Sequence, residues 1–178
     1  MTTFSIEVKD EAVRDALKAL AARMGNLAPV LTVLGDSITE RTKQRFDTST
    51  APDGTPWKPN SAATLGMLSA KLAGSKSNVR KGGSLNAKGL RELANKKPLI
   101  ASGFLRQQII PVVAGQTLTV SATPKYAAIH QFGGQAGRGH KVTIPARPFL
   151  PIKPDGTLYP DEQQLVLDAL NDFLMDGL

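Results

Sequence analysis

Histidine is the side chain that most often moves protons or holds a metal near neutral pH, and this chain has two, His130 and His140. A serine hydrolase would need one of them as base and a serine in a Gly-x-Ser-x-Gly elbow. No serine here sits in that context. A two-histidine metal site would add a carboxylate, yet the nearest acid is Asp155, and neither His-x-x-x-His nor His-Glu-x-x-His occurs. His130 therefore reads as a residue that caps or packs within a short helix, and His140 as a polar loop residue. The carboxylate pairs Asp10/Glu11 and Asp161/Glu162 fall at helix starts, where the helix dipole favours them without any catalytic duty. Asp155-Gly156 is a turn that lacks the ligand ladder of a calcium loop. The run Gly133-Gly134-Gln135-Ala136-Gly137-Arg138-Gly139 has no lysine-serine pair after it and is a weak phosphate cradle. With no cysteine, disulfides, thiolate metal sites and cysteine nucleophiles are excluded. The chemistry-bearing residues thus predict no enzyme, no cofactor and no resident metal.

Charge is the stronger signal. The 178 residues carry a net +7, and between Lys58 and Pro98 nine basic residues and one acid give +8. The basic side chains include Lys71, Lys76, Arg80, Lys81, Lys88, Arg91, Lys96 and Lys97, spaced by Ser, Gly, Asn and Ala. The apolar residues between them hold no steady period, which predicts a long mobile basic loop inserted at about 58–98. As a functional element it would be an arm for DNA phosphates or an acidic protein surface. As a bland one it would be a solvated loop, and the lack of aromatics between Pro59 and Pro98 favours that.

The elements around it are more regular. Phe4, Ile6 and Val8 alternate as in a half-buried strand. Asp10 caps a helix to about Met24, and Pro29 opens a second that runs to about Phe46 through Val30, Leu34, Ile38, Thr42 and Arg45. A turn at Asp53-Gly54 leads to Trp57, a packing plug. Leu99 to Arg106 reads as a short helix. Two strands, Ile109–Val113 and Leu118–Ala122, join at Gly115-Gln116. Tyr126 to Phe132 is a short helix with a glycine stop, Lys141–Ile144 is strand-like, and Asp161–Met175 is an amphipathic helix. The order predicts one α+β domain over residues 1–178, with a small, mainly antiparallel sheet covered by helices. No apolar run reaches the ~18 residues of a membrane span and no signal peptide opens the chain, so no membrane partner is expected.

Two segments together carry a resemblance. Tyr126-Ala127-Ala128-Ile129-His130-Gln131-Phe132-Gly133-Gly134, followed by Ile144-Pro145-Ala146-Arg147-Pro148-Phe149-Leu150, resembles the Mu-like phage virion morphogenesis proteins, the family that includes the tail completion protein S type. Phe46, the Gly54-x-x-Trp57 turn and Leu99-x-x-Ser102-Gly103-x-Leu105 follow the same order of features upstream. The resemblance implies a structural protein of tailed phages, acting at tail completion or head–tail joining, with no known reaction. It implies partners too: further copies of itself in a ring, the tail tube or tail terminator, and the head–tail connector. DNA through the basic loop is the alternative. Localisation would be the bacterial host cytoplasm during assembly, then the virion neck or tail end. Arg147 is the one charge in its stiff segment, and reads equally well as an intrachain ion pair or a subunit contact. Phe149 reads as a core plug whose loss would block assembly, and Arg138 and Lys141 as further assembly contacts.

Overall fold

The computed structural model describes residues 11–176. The expected strand at Phe4, Ile6 and Val8, and the Asp10 cap, lie outside the described residues. Two long helices come first, α1 (Glu11–Gly25) and α2 (Ala28–Thr48), the latter opened by Pro29 where a missing N–H costs nothing. Then follow α3 (Ala62–Ala73), α4 (Ala87–Ala94), α5 (Phe104–Gln107), β1 (Ile109–Ala114), β2 (Thr117–Ala122), α6 (Ala127–Phe132), β3 (Gly134–Ala136), β4 (Val142–Ile144) and α7 (Pro160–Met175). The fold is α+β, as the sequence predicts. Its strands form two separate antiparallel pairs, β1 with β2 and β3 with β4. Among the described residues, no single helix is long and apolar enough to cross a membrane.

α2 is the spine. Val30, Leu34 and Ile38 bury one stripe against the β1–β2 hairpin, which pairs Ile109 with Ala122 through to Ala114 with Thr117. The helix backbone comes so close to the hairpin that Gly35 has no room for a side chain. A Cβ there would lie 2.9 Å from Leu118 Cδ1 and 3.0 Å from Pro111 Cβ. At the other end of α2, Phe46 (0% exposed) starts the main core with Ala51, Trp57, Leu105, Ile109, Ala127 and Phe149. Its ring meets Trp57 edge-on at 5.4 Å and Phe149 at 5.3 Å.

The same four residues, Pro-Asp-Gly-Thr, build two turns of one design. At 52–55 the Asp53 carboxylate accepts from Thr55 N (3.0 Å), and Ala51 N donates to Thr55 O (2.8 Å). At 154–157 Asp155 accepts from Thr157 N (2.9 Å), and Lys153 N donates to Thr157 O (2.8 Å). Both are carboxylate-braced turns with glycine in the left-handed region, Gly54 at φ +79° and Gly156 at φ +86°. The first delivers Trp57 to the core and the second delivers the chain to α7.

In place of the expected loop, the basic segment folds into a helical hairpin. Ser61 Oγ caps α3 by accepting from Thr64 N (3.2 Å), and Asn86 Oδ1 caps α4 by accepting from Gly89 N (3.0 Å). Leu72 and Asn78 are buried beneath the junction. Gly89 packs so tightly there that a Cβ would sit 2.7 Å from Asn78 O. Each helix is short and shares its few apolar side chains with the other, so neither shows a long period in the sequence. A second correction concerns Leu99–Arg106: only Phe104–Gln107 is helical, because Leu99 (φ 60°) and Gly103 (φ 81°) take left-handed conformations that a helix cannot contain.

Candidate functional site

Pro145–Pro151 has three prolines and crosses the core edge outside any sheet, so its backbone polar groups need partners that no ladder supplies. Side chains supply them. Gln131 of α6 is 2% exposed and uses its whole amide. Its Oε1 accepts from Phe149 N (2.8 Å) and Leu150 N (2.9 Å), and its Nε2 donates to Leu150 O (3.2 Å) and Ile152 O (3.0 Å). Trp57 Nε1 donates to Pro148 O (2.9 Å) and Arg45 Nη1 to Phe149 O (2.7 Å). Arg147 N donates to His130 O (2.7 Å), tying the segment to α6. This strap is therefore fastened by residues from α2, the first turn and α6. The two sequence blocks that carry the family resemblance are the two halves of one clamp.

The turn between them depends on Gly133, at φ +76°. An added Cβ would come within 2.9 Å of Ala146 N and 3.2 Å of Ile144 O. The chain can double back onto the strap only if that position has no side chain.

Behind the strap lies a buried charge cluster. Glu162 (1% exposed) accepts on Oε1 from Arg45 Nη2 (2.5 Å) and from Arg41 Nη2 (2.6 Å) and Nε (3.1 Å). Arg45 is 6% exposed, and burial lowers its pKa against the opposing pull of the Glu162 charge. Through Arg45, one carboxylate on α7 is linked to α2 and to the strap carbonyl of Phe149. Beside the strap, a cavity of about 300 Å³ is lined by Leu99, Phe104, Tyr126, His130 and Lys96, among others. Burial, and then the nearby Arg147 charge, lower the His130 pKa below 6.5, which keeps the ring neutral at physiological pH. Tyr126 meets it edge-on at 5.9 Å. Among the described residues, no three His, Asp or Glu side chains are grouped to hold a metal.

The sequence-predicted site residues divide by location. Arg147 is 7% exposed, and among the described residues it meets backbone carbonyls in place of the intrachain ion pair. Its Nε donates to Lys58 O and its Nη2 to Pro59 O, both at 2.7 Å, so the guanidinium fixes the entry to the basic hairpin. Phe149 is a core plug at 0% exposure. Arg138 and Lys141 lie exposed in the β3–β4 connection. Lys71, Lys76, Arg80, Lys81, Lys88 and Arg91 are exposed on the helical hairpin. Lys96 and Lys97 instead reach back to carbonyls, of Ile100 and Asp47 respectively. Gln131, Arg45 and Glu162 escape a sequence reading. The usable signal is Arg45 falling on the apolar stripe of α2, a position that demands a buried counter-charge.

The model of the phage virion morphogenesis family matches residues 8–174. The chain belongs to that family. It is also 28% identical to the Mu-like prophage FluMu G protein 2 of Haemophilus influenzae, over 169 residues that are 94% of each chain. No solved structure matches it. The protein is thus a phage virion morphogenesis protein, and the resemblance of its 126–150 blocks reflects membership across nearly the whole chain. In this family member the clamp is the structural content of those blocks: a glutamine, a glycine turn and a proline strap that fix one another.

Proposed function

We propose that this morphogenesis protein is a structural, non-enzymatic subunit that acts at tail completion or head–tail joining and closes into a ring in the virion neck. The observation that carries the reading is the family match over residues 8–174, whose most specific motifs are spent on a rigid clamp with no reactive group at its centre. A clamp of that kind holds surfaces in fixed relation, which is what a repeating subunit requires. Arg138 and Lys141, exposed beside the strap, are contacts such a subunit would offer to the tail tube or tail terminator, or to the connector. Assembly would take place in the host cytoplasm, and the finished protein would sit at the neck or tail end.

Electron microscopy of a lysate from the parent phage with this gene disrupted tests the reading. Full heads lying apart from tails, or tails with abnormal ends, are the expected result. Normal joined particles would overturn it. The second reading is nucleic-acid binding through the hairpin, favoured by the six cations exposed from Lys71 to Arg91. Duplex DNA binding by that route weakens steeply with salt, and salt-independent affinity or no binding would remove it.

A further inference from the structure

Two buried arginines in this chain are treated differently. Arg45 has the Glu162 carboxylate opposite it. Arg147, 7% exposed, has only the carbonyls of Lys58 and Pro59, and no ion pair among the described residues includes it. A carbonyl satisfies a hydrogen bond without cancelling a charge, and an uncancelled charge out of water is costly. Burial accordingly lowers the Arg147 pKa with no carboxylate to oppose it, as Glu162 does at Arg45. The third guanidinium nitrogen, Nη1, has no hydrogen-bond partner among the described residues.

Arg147 lines the cavity of about 300 Å³ beside the strap, and so do Lys96, Lys97 and His130, but no Asp or Glu does. The two lysines also donate to carbonyls, of Ile100 and Asp47, so their charges stand uncancelled as well. His130 Nδ1 is buried there without a partner. In the 99–103 turn that forms one wall, no backbone N–H donates to a described residue. The remaining wall is largely apolar, with Leu99 half-buried and two exposed rings, Phe104 (49%) and Tyr126 (45%). Cations and free donors facing no acid select an anion. The apolar wall selects its shape: a phosphate would lose water on all sides and regain polar contacts on one, whereas a carboxylate confines its charge to one end of the molecule. A cavity at the small end of the ligand-pocket range admits one group of about side-chain size and excludes a nucleic-acid backbone.

We propose that this cavity binds a carboxylate carried on an apolar stem. The carboxylate pairs with Arg147 through Nη1, and the stem lies against Leu99, Phe104 and Tyr126. An acidic side chain of another protein and a small organic acid share that chemistry. The site stands on the clamp geometry and is independent of the ring reading.

The test is an NMR titration of the full chain with 3-phenylpropionate, read at the ring proton of His130 and the Nε–H of Arg147. His140, exposed in the β3–β4 connection, is the internal control. Both site resonances should shift saturably while His140 stays still. The neutral 3-phenylpropionamide should bind at least about tenfold more weakly, because it cannot form the charged pair. Inorganic phosphate should give no saturable shift. Ala101 is an exposed wall residue outside any helix or strand, so Ala101→Phe fills the cavity from its rim and should abolish the shifts with an unchanged circular dichroism spectrum. Arg147→Met should erase the preference for acid over amide; should that variant fail to fold, the acid–amide comparison and Ala101→Phe still decide. The blocked peptide acetyl-Ala-Glu-Ala-amide separates the sources: the same shifts assign the site to a protein side chain, and their absence beside 3-phenylpropionate binding assigns it to a free acid. No saturable shift with either carboxylate, an amide that binds as well as the acid, tighter binding of phosphate, or full binding by Ala101→Phe would overturn the site.

Discussion

Replacing Gln131 with alanine removes four hydrogen bonds at one stroke. The Phe149 N–H is left in a site with no solvent access, and an unsatisfied group there costs about 1–3 kcal/mol. Leu150 and Ile152 are half-buried, so water can replace the amide at their polar groups, and the net loss there is about 0.5–1 kcal/mol for each bond. The sum is about 2.5–6 kcal/mol, a large share of the 5–15 kcal/mol typical of a domain. Urea denaturation followed by Trp57 fluorescence is the assay, because Trp57 itself donates to the strap. The isosteric Gln131→Glu sharpens it. That carboxylate still accepts from Phe149 N and Leu150 N, but its second oxygen faces the carbonyls of Leu150 and Ile152, which favours the protonated acid. The folded-state pKa therefore rises above the unfolded value of about 4.3. The protonated side chain's contribution is present below that value and is lost as pH rises through the folded pKa. Gln131→Ala within about 0.5 kcal/mol of wild type, or Gln131→Glu with no recovery in acid, would refute the clamp.

Three further outcomes follow from the same geometry. Glu162→Gln should cost about 3–5 kcal/mol in denaturant melts by leaving Arg45 buried without a counter-charge, and Arg45→Met/Glu162→Leu should be the more stable of the two variants. Phe149→Ala should cost about 3–5 kcal/mol, read as a fall in the urea midpoint with unchanged slope, because the ring is fully enclosed against Phe46. His130 has a depressed folded pKa, so the unfolded chain binds more protons just below pH 6.5. Stability should therefore fall as pH drops from about 6.5 to the folded value, and His130→Gln should flatten that slope in parallel melts.

Elements whose pattern is local are legible in the order of residues alone. α2 and α7 carry long stripes, and the hairpin of Ile109–Ala122 carries two strands around a glycine turn. The α3–α4 hairpin is not legible in that way, because its helices are 12 and 8 residues long and complete each other's apolar faces. The site shows the same division. Gly133 and the prolines announce a sharp turn and a stiff segment, whereas Gln131 looks like any helical glutamine until the strap lies across it. Glu162 has a sufficient local explanation in the dipole of α7, and its partner Arg45 is 117 residues away. Arg147 reads as an ion-pair or contact residue because a guanidinium bonded only to carbonyls leaves no trace in composition.

The strap also bears on the order in which this chain can fold. Its fastenings span 104 residues from Arg45, 91 from Trp57 and 18 from Gln131 to Phe149. Closing loops of the first two lengths carries an entropic cost that burial offsets only once α2, the first turn and α6 already stand in place. The strap is thus a latecomer, set down on a scaffold whose local elements form first. Until it closes, Phe46 and Trp57 lack their ceiling and offer an aromatic surface to any neighbouring chain. In a virion morphogenesis protein, the interval before that closure is the time in which misassociation competes with folding.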